Sequence, residues 1–215
     1  MSKDTVLNQI LDTGVVAIMR ASSSDQLLSA AEAILDGGVS AIEVTMTTPN
    51  AMEVIRQATA KFGNQVLFGV GTVLDSETAR AAILAGAQFV VCPTLNLGTI
   101  QICNRYSIPV MPGAYTPTEI LTAWEAGADV VKVFPASVGG PSYFRAIKGP
   151  LPHIKLSPTG GVHLDTAAEF IRAGAEFLGV GGELVTKSDL AAGNLEGLRD
   201  RAAQYIRVIQ EARKG

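Results

Sequence analysis

Lys132 stands in the middle of DVVKVFPA, residues 129–136, a run of apolar β-formers that reads as a buried strand. Side chains alternate along a strand, so Val130, Lys132 and Phe134 share one face and a single charge is set among apolar neighbours. Burial disfavours an ammonium and leaves a fraction of neutral amine able to attack a carbonyl, which is Schiff-base chemistry. A lysine near a strand end also snorkels to water or pairs with an acid such as Glu43, so Lys132 alone leaves both readings open. Alternation places Glu43, Thr45 and Thr47 on one strand face and Ile42, Val44 and Met46 on the other. A carboxylate at an inward position is costly to bury unpaired. Beside a lysine it is either half of an ion pair or an acid/base that moves protons through carbinolamine, imine and enamine.

The elements that must bring these residues together repeat along the chain. The pattern predicts an N-terminal amphipathic helix, then strands at 15–20, 41–46, 66–73, 89–93, 109–112, 129–136, 155–158 and 177–180. Helices are expected at 22–35, 50–61, 76–84, 97–106, 117–126, 143–147, 165–173 and 195–212. A small-residue helix stop precedes every second strand, in DGGVSAIEV, LAGAQFVV, EAGADVVKV and RAGAEFLGV, with Gly37, Gly86, Gly127 and Gly174 as the stops. Each interval holds roughly two βα units, a repeat at the quarter-barrel level. Eight strands in strict alternation with helices are parallel and close into a (β/α)8 TIM barrel. A doubly wound open sheet is the alternative, but residues 20–24 read Arg-Ala-Ser-Ser-Ser where a Gly-x-Gly-x-x-Gly turn would follow the first strand.

In such a barrel the chemistry gathers at the C-terminal strand ends. There the chain offers Arg20, Glu43, Thr72, Pro93, Lys132 and Phe134, then Thr159-Gly160-Gly161-Val162 after strand seven and Gly181-Gly182 after strand eight. Backbone N–H groups in the two glycine pairs have no Cβ to keep an anion away, and late strands of barrels commonly hold phosphate. Thr72 and Thr159 are placed to donate to a carboxylate, or are ordinary strand threonines. His153 and His163 lie in or beside loops without metal-ligand spacing, Trp124 sits on a packed helix face, and Arg145 with Lys148 reads as a solvated helix face. The composition agrees with a closely packed α/β chain: 47% hydrophobic, 17% charged, net charge −3. With no basic run, nucleic acid is not an expected partner. Cys92 and Cys103 are too few for a disulfide framework or metal site, and no apolar run approaches the roughly 20 residues that span a bilayer. Residues 1–215 are read as one domain, with a small-molecule substrate, no membrane partner and a cytoplasmic location.

Six blocks in order, GGVSAIEVTMTTPNA, FGVGTVLD, VMPGAYTPTE, VKVFPA, GPSYFRAIKGPLP and SPTGGV, resemble the 2-dehydro-3-deoxy-phosphogluconate/4-hydroxy-2-oxoglutarate aldolase family. The resemblance implies a class I aldolase on a (β/α)8 barrel, usually a homotrimer, with no metal or cofactor. It would cleave a phosphorylated 2-keto-3-deoxy sugar acid to pyruvate and glyceraldehyde 3-phosphate. By position it makes Lys132 the Schiff-base lysine and Glu43 the general acid/base. Thr72 and Thr159 would hold the pyruvate carboxylate, Pro93 and Phe134 wall the pyruvyl pocket, and Gly160, Gly161, Val162, Gly181 and Gly182 form the phosphate loops. The chain departs from the family's pattern in two places. Thr47 stands where well-known members carry an arginine, a charge that Arg20 would supply from across the mouth, and Gly182 followed by Glu183 replaces a loop serine. Two rival functions remain open at this level: a phosphosugar isomerase or epimerase that uses Glu43 as base without a covalent adduct, and a non-catalytic phosphometabolite-binding protein.

Overall fold

The computed structural model describes residues 1–214. In chain order it contains α1 (Lys3–Thr13), β1 (Val15–Met19), α2 (Ser24–Asp36), β2 (Ala41–Thr45), α3 (Ala51–Phe62), β3 (Leu67–Gly71) and α4 (Ser76–Leu84). These are followed by β4 (Val90–Val91), α5 (Leu97–Arg105), β5 (Val110–Met111), β6 (Gly113–Ala114), α6 (Pro117–Glu125) and β7 (Val131–Val133). The chain ends with α7 (Gly140–Lys148), β8 (Leu156–Pro158), α8 (Leu164–Arg172), β9 (Leu178–Val180), α9 (Lys187–Ala192) and α10 (Leu195–Ala212). Helix starts follow side-chain chemistry. Ser23, Asp75 and Asn96 accept from the backbone N–H three residues on, and Thr116 with Glu119 forms a capping box at α6.

β5 and β6 are two halves of one barrel strand. Pro112, which lacks an N–H, interrupts the ladder between them. All pairings are parallel, in the orders β5-β4-β3-β2-β1-β9 and β6-β7-β8. The two sheets join on both sides. Asp129 N and Lys132 N donate to Val110 O and Pro112 O at 3.1 and 2.9 Å, and bridges Leu156–Ala175 and Thr159–Gly179 link β8 to β9. The result is the closed eight-stranded barrel that the alternation predicted.

Strand periodicity divides the core in two. Val15, Ala17, Ile42, Val44, Phe68, Val70, Val131 and Leu178 pack outward with the helices. Val16, Ala41, Leu67, Phe89, Val91, Met111, Val130 and Phe177 meet inside the barrel, where Val6 and Ile10 of α1 close the N-terminal end. The lower interior is therefore filled with apolar side chains, and the next inward positions along the strands carry the polar residues of the mouth.

Four local expectations need correction. Strand β2 stops at Thr45, and Thr48 N returns to Thr45 O at 2.9 Å, so Thr47 lies in an exposed turn rather than on the strand. In the first repeat the left-handed stop is Gly38 at φ +94, not Gly37 at φ −78. Gly37 is instead required by packing: a Cβ there would sit 2.4 Å from Arg199 O of α10. The short helix expected at 143–147 runs over Gly140–Lys148, and α9 is an additional helix that the sequence pattern does not predict.

Candidate active site

Lys132 and Glu43 are both buried, 5% and 3% exposed, and both project inward from the upper layer of the barrel. Lys132 is in register with Gly113 and Ser157, and Glu43 with Ile18 and Gly69. Two of these neighbours are glycines because the interior has little room. A Cβ on Gly113 would meet the Pro93 carbonyl at 2.3 Å, and one on Gly69 would meet the Phe89 ring at 2.3 Å. One turn of the pleat higher, a Cβ on Gly71 would lie 1.8 Å from Glu43 Oε1. The carboxyl of Glu43 thus occupies the space that Gly71 leaves open, a residue that sequence reasoning did not single out.

Burial pushes the Glu43 carboxyl above the usual carboxylate range, and the charges of Lys132 and Arg20 pull it back only in part. A carboxyl held in this way gives and takes a proton more readily near neutrality than an exposed one. Lys132 Nζ lies 5.2 Å from the centroid of the Phe134 ring, which is 37% exposed and forms the edge between the lysine and solvent. Cys92 faces the helices rather than the mouth, and burial drives its thiol up to about 12, which leaves it unreactive.

A cavity of about 210 Å³, which neither Lys132 nor Glu43 itself lines, is bounded by Arg20, Phe134, Thr159, Gly160, Gly161, Val162, Gly181 and Gly182, with Ile18, Gly179 and Glu183 completing it. Eight of the residues expected at the mouth are therefore brought together. Gly160 and Gly161 adopt φ of +84 and +75, a consecutive left-handed pair that turns the backbone into the pocket. At Gly161 a side chain would also collide with Ser137, the Cβ falling 2.5 Å from that of the serine. Thr159 is 8% exposed, and Gly179 is free of a Cβ that would lie 2.3 Å from its Oγ1.

Thr72, Pro93 and Thr47 are not among the residues lining this pocket. Thr72 follows β3 and holds φ +61, a left-handed conformation that a β-branched residue adopts at a cost of roughly 1–3 kcal/mol. Pro93 follows β4, half-buried, with its carbonyl against Gly113. Thr47 Oγ1 hydrogen-bonds Thr45 Oγ1 at 2.8 Å and opens into a neighbouring cavity that also includes Arg20.

Glu183, noted as a departure in the sequence, lies in the wall of the glycine pocket, where His163 Nδ1 stands 3.2 Å from its carboxylate. His153 meets the Trp124 ring edge-on at 6.3 Å, and Lys148 Nζ donates to Ile154 O at 2.8 Å, so neither belongs to the site. Among the described residues no group of three His, Cys, Asp or Glu side chains is placed to hold a metal ion, and no helix is long and apolar enough to cross a membrane.

The model of the family described as KDPG and KHG aldolase matches residues 6–200. The chain is 34% identical over 199 residues to the 2-dehydro-3-deoxy-6-phosphogalactonate aldolase of Escherichia coli (strain K12), covering 92% of this chain and 95% of the relative. It is also 34% identical over 210 residues to the 2-dehydro-3-deoxy-phosphogluconate aldolase of Treponema pallidum (strain Nichols), covering 95% and 98%. Among solved structures, the KDPG aldolase of Legionella pneumophila, with pyruvate captured as a covalent carbinolamine intermediate, superposes with a TM-score of 0.85 at 25% identity over 91% of this chain and 96% of that one.

Proposed function

The chain belongs to the KDPG and KHG aldolase family, and from that premise we propose that it cleaves 2-dehydro-3-deoxy-6-phosphogluconate, or a close relative, to pyruvate and glyceraldehyde 3-phosphate through a Schiff base on Lys132. It is an aldehyde-lyase of the class I, pyruvate-dependent type. The observation that carries the residue assignment is the burial of one lysine and one proton-holding carboxyl inside the barrel, with Ile18, the register partner of Glu43, and Phe134, beside Lys132, reaching the wall of the glycine pocket.

Lys132, as the free amine, attacks the C2 carbonyl, and Glu43 in its protonated form gives a proton to the departing hydroxyl of the carbinolamine. The resulting iminium accepts the electron pair of the C3–C4 bond while Glu43, now a carboxylate, takes the proton of the C4 hydroxyl. An aldehyde leaves, and Glu43 returns the proton to C3 of the enamine. Water then attacks the iminium and releases pyruvate and the amine. Thr72 and Thr159 hold the substrate carboxylate, and Phe134 and Pro93 wall the pyruvyl group. The backbone of Gly160, Gly161, Val162, Gly181 and Gly182, with Arg20, receives the distal phosphate. Thr47 serves through its hydroxyl at the edge of the mouth.

The strained Thr72 backbone supports a positioning role, since a residue kept in a costly conformation at a mouth is there for its side chain. We assign the assembly as a homotrimer, which sedimentation equilibrium checks directly, and the compartment as cytoplasm, in keeping with the two unpaired thiols. The test of the reaction is pyruvate release from the phosphorylated 2-keto-3-deoxy acids of the gluconate and galactonate series. Wild-type protein turns over at least one of them, and Lys132→Ala turns over neither while keeping the circular dichroism of the wild type. Retained cleavage in that variant would remove the lysine from the mechanism.

A further inference from the structure

A cavity of about 410 Å³ adjoins the mouth beside the turns after β1 and β2, and it shares a single residue, Arg20, with the glycine pocket. Its polar walls are Arg20, Lys187, Ser22, Gln26, Thr47 and Thr48, and no acid lines it. Among the described residues the side chains of Arg20 and Lys187 make no salt bridge, although the Arg20 charge is felt at Glu43. Thr48 is 3% exposed, and its hydroxyl oxygen is buried without a partner, a condition that folded interiors avoid unless something else supplies the bond. The walls are fixed rather than loose. Gln26 Oε1 accepts from Ser22 N at 2.9 Å, and Gln26 Nε2 donates to Leu190 O at 2.9 Å, which ties α9, and Lys187 with it, to α2.

The two cavities differ in charge. In the glycine pocket a phosphate dianion meets one cation, Arg20, and also the Glu183 carboxylate in the wall. In the neighbouring cavity it meets the same arginine, a second cation and no opposing acid, with the Ser22 and Thr47 hydroxyls, bonded to Gln26 and Thr45, in the wall. We propose that the Arg20–Lys187 cavity is a second phosphate-accepting subsite beside the catalytic mouth, with Lys187 as the residue that gives it selectivity for phosphorylated ligands. The phosphate comes either from the distal end of the substrate, drawn from the glycine backbone to the far side of the shared Arg20, a source that rests on the aldolase reading, or from a free phosphorylated compound.

Inorganic phosphate is the probe, titrated calorimetrically into the full chain and into Lys187→Met and Lys187→Arg. Loss of one charge-assisted contact weakens phosphate binding by about tenfold in Lys187→Met, and Lys187→Arg restores most of it. Lys187→Met that binds phosphate as tightly as the wild type, or a wild type that binds none, overturns the proposal. The ratio of kcat/KM for a phosphorylated over an unphosphorylated 2-keto-3-deoxy acid then identifies the source. A fall in Lys187→Met assigns the substrate's own phosphate, and an unchanged ratio with lost phosphate affinity assigns a free phosphorylated compound. Wild-type protein is treated in parallel with pyruvate and borohydride: absence of an adduct there refutes the aldolase reading and leaves the phosphate-binding result standing.

Discussion

Glu43 is the side chain whose surroundings say most about the chemistry. Its carboxyl is removed from water and held above the usual carboxylate range mainly by that removal, with Lys132 and Arg20 opposing. In the folded chain the proton is kept to a higher pH than in the unfolded chain. The stability associated with this group is therefore complete below the ordinary carboxyl pKa and is lost as pH rises through the folded value. Glu43→Gln removes that loss: urea unfolding should show the variant gaining on the wild type at about pH 8, with the margin closing toward about pH 4.5. The same substitution should lower kcat by about 10² to 10⁴ if the carboxyl moves protons in the rate-limiting step. A variant with wild-type kcat would reassign Glu43 to a structural role. Lys132 and Glu43 were legible because a charge in an otherwise apolar alternating run is a local signal. Alternation cannot say where a strand stops, and the turn that lifts Thr47 out of β2 is made by a backbone bond from Thr48 to Thr45.

At the scale of elements, β3 shapes the site by what it lacks. Its two inward glycines admit the Phe89 ring and the Glu43 carboxyl, and neither space is visible until β2, β3 and β4 are set side by side. Gly71→Ala places a methyl where Glu43 Oε1 now lies. It should destabilise the fold by about 1–3 kcal/mol, as overpacking does. Because the carboxyl must shift, kcat should fall by about a hundredfold, the usual cost of a misplacement near 1 Å. Urea unfolding and steady-state kinetics on the one variant check both, and an unchanged kcat would mean that Glu43 is not held in its working position. Strand and helix order follows from periodicity except at α9, and α10 begins and ends at the residues expected of it. Six-residue α9 escaped notice because it is too short for a helical period to emerge, although Thr186 caps its start and Gly193, at φ +65, ends it. Two adjacent glycines end α2, and the sequence alone does not say which of them stops it. Close contact with α10 claims the first and a left-handed turn claims the second.

For the molecule as a whole, closure of the barrel is what converts scattered residues into a site. α1 and the apolar inner layer seal one end. The opposite end sets Arg20 and Lys187 around a cavity that no acid lines, on a chain whose net charge is −3, so an anionic substrate finds there the positive charge that the molecule lacks overall. The alternation of elements announced this architecture, whereas the charge contrast between the two cavities emerged only from tertiary packing, since Lys187 and Arg20 are far apart in sequence. The central claim, that Lys132 forms the covalent intermediate, is tested most directly by incubating the protein with pyruvate and borohydride and locating the reduced adduct by peptide mass spectrometry. The expected result is one adduct, on the peptide that contains Lys132. An unmodified Lys132 peptide, under conditions in which a known Schiff-base aldolase is labelled, would contradict it.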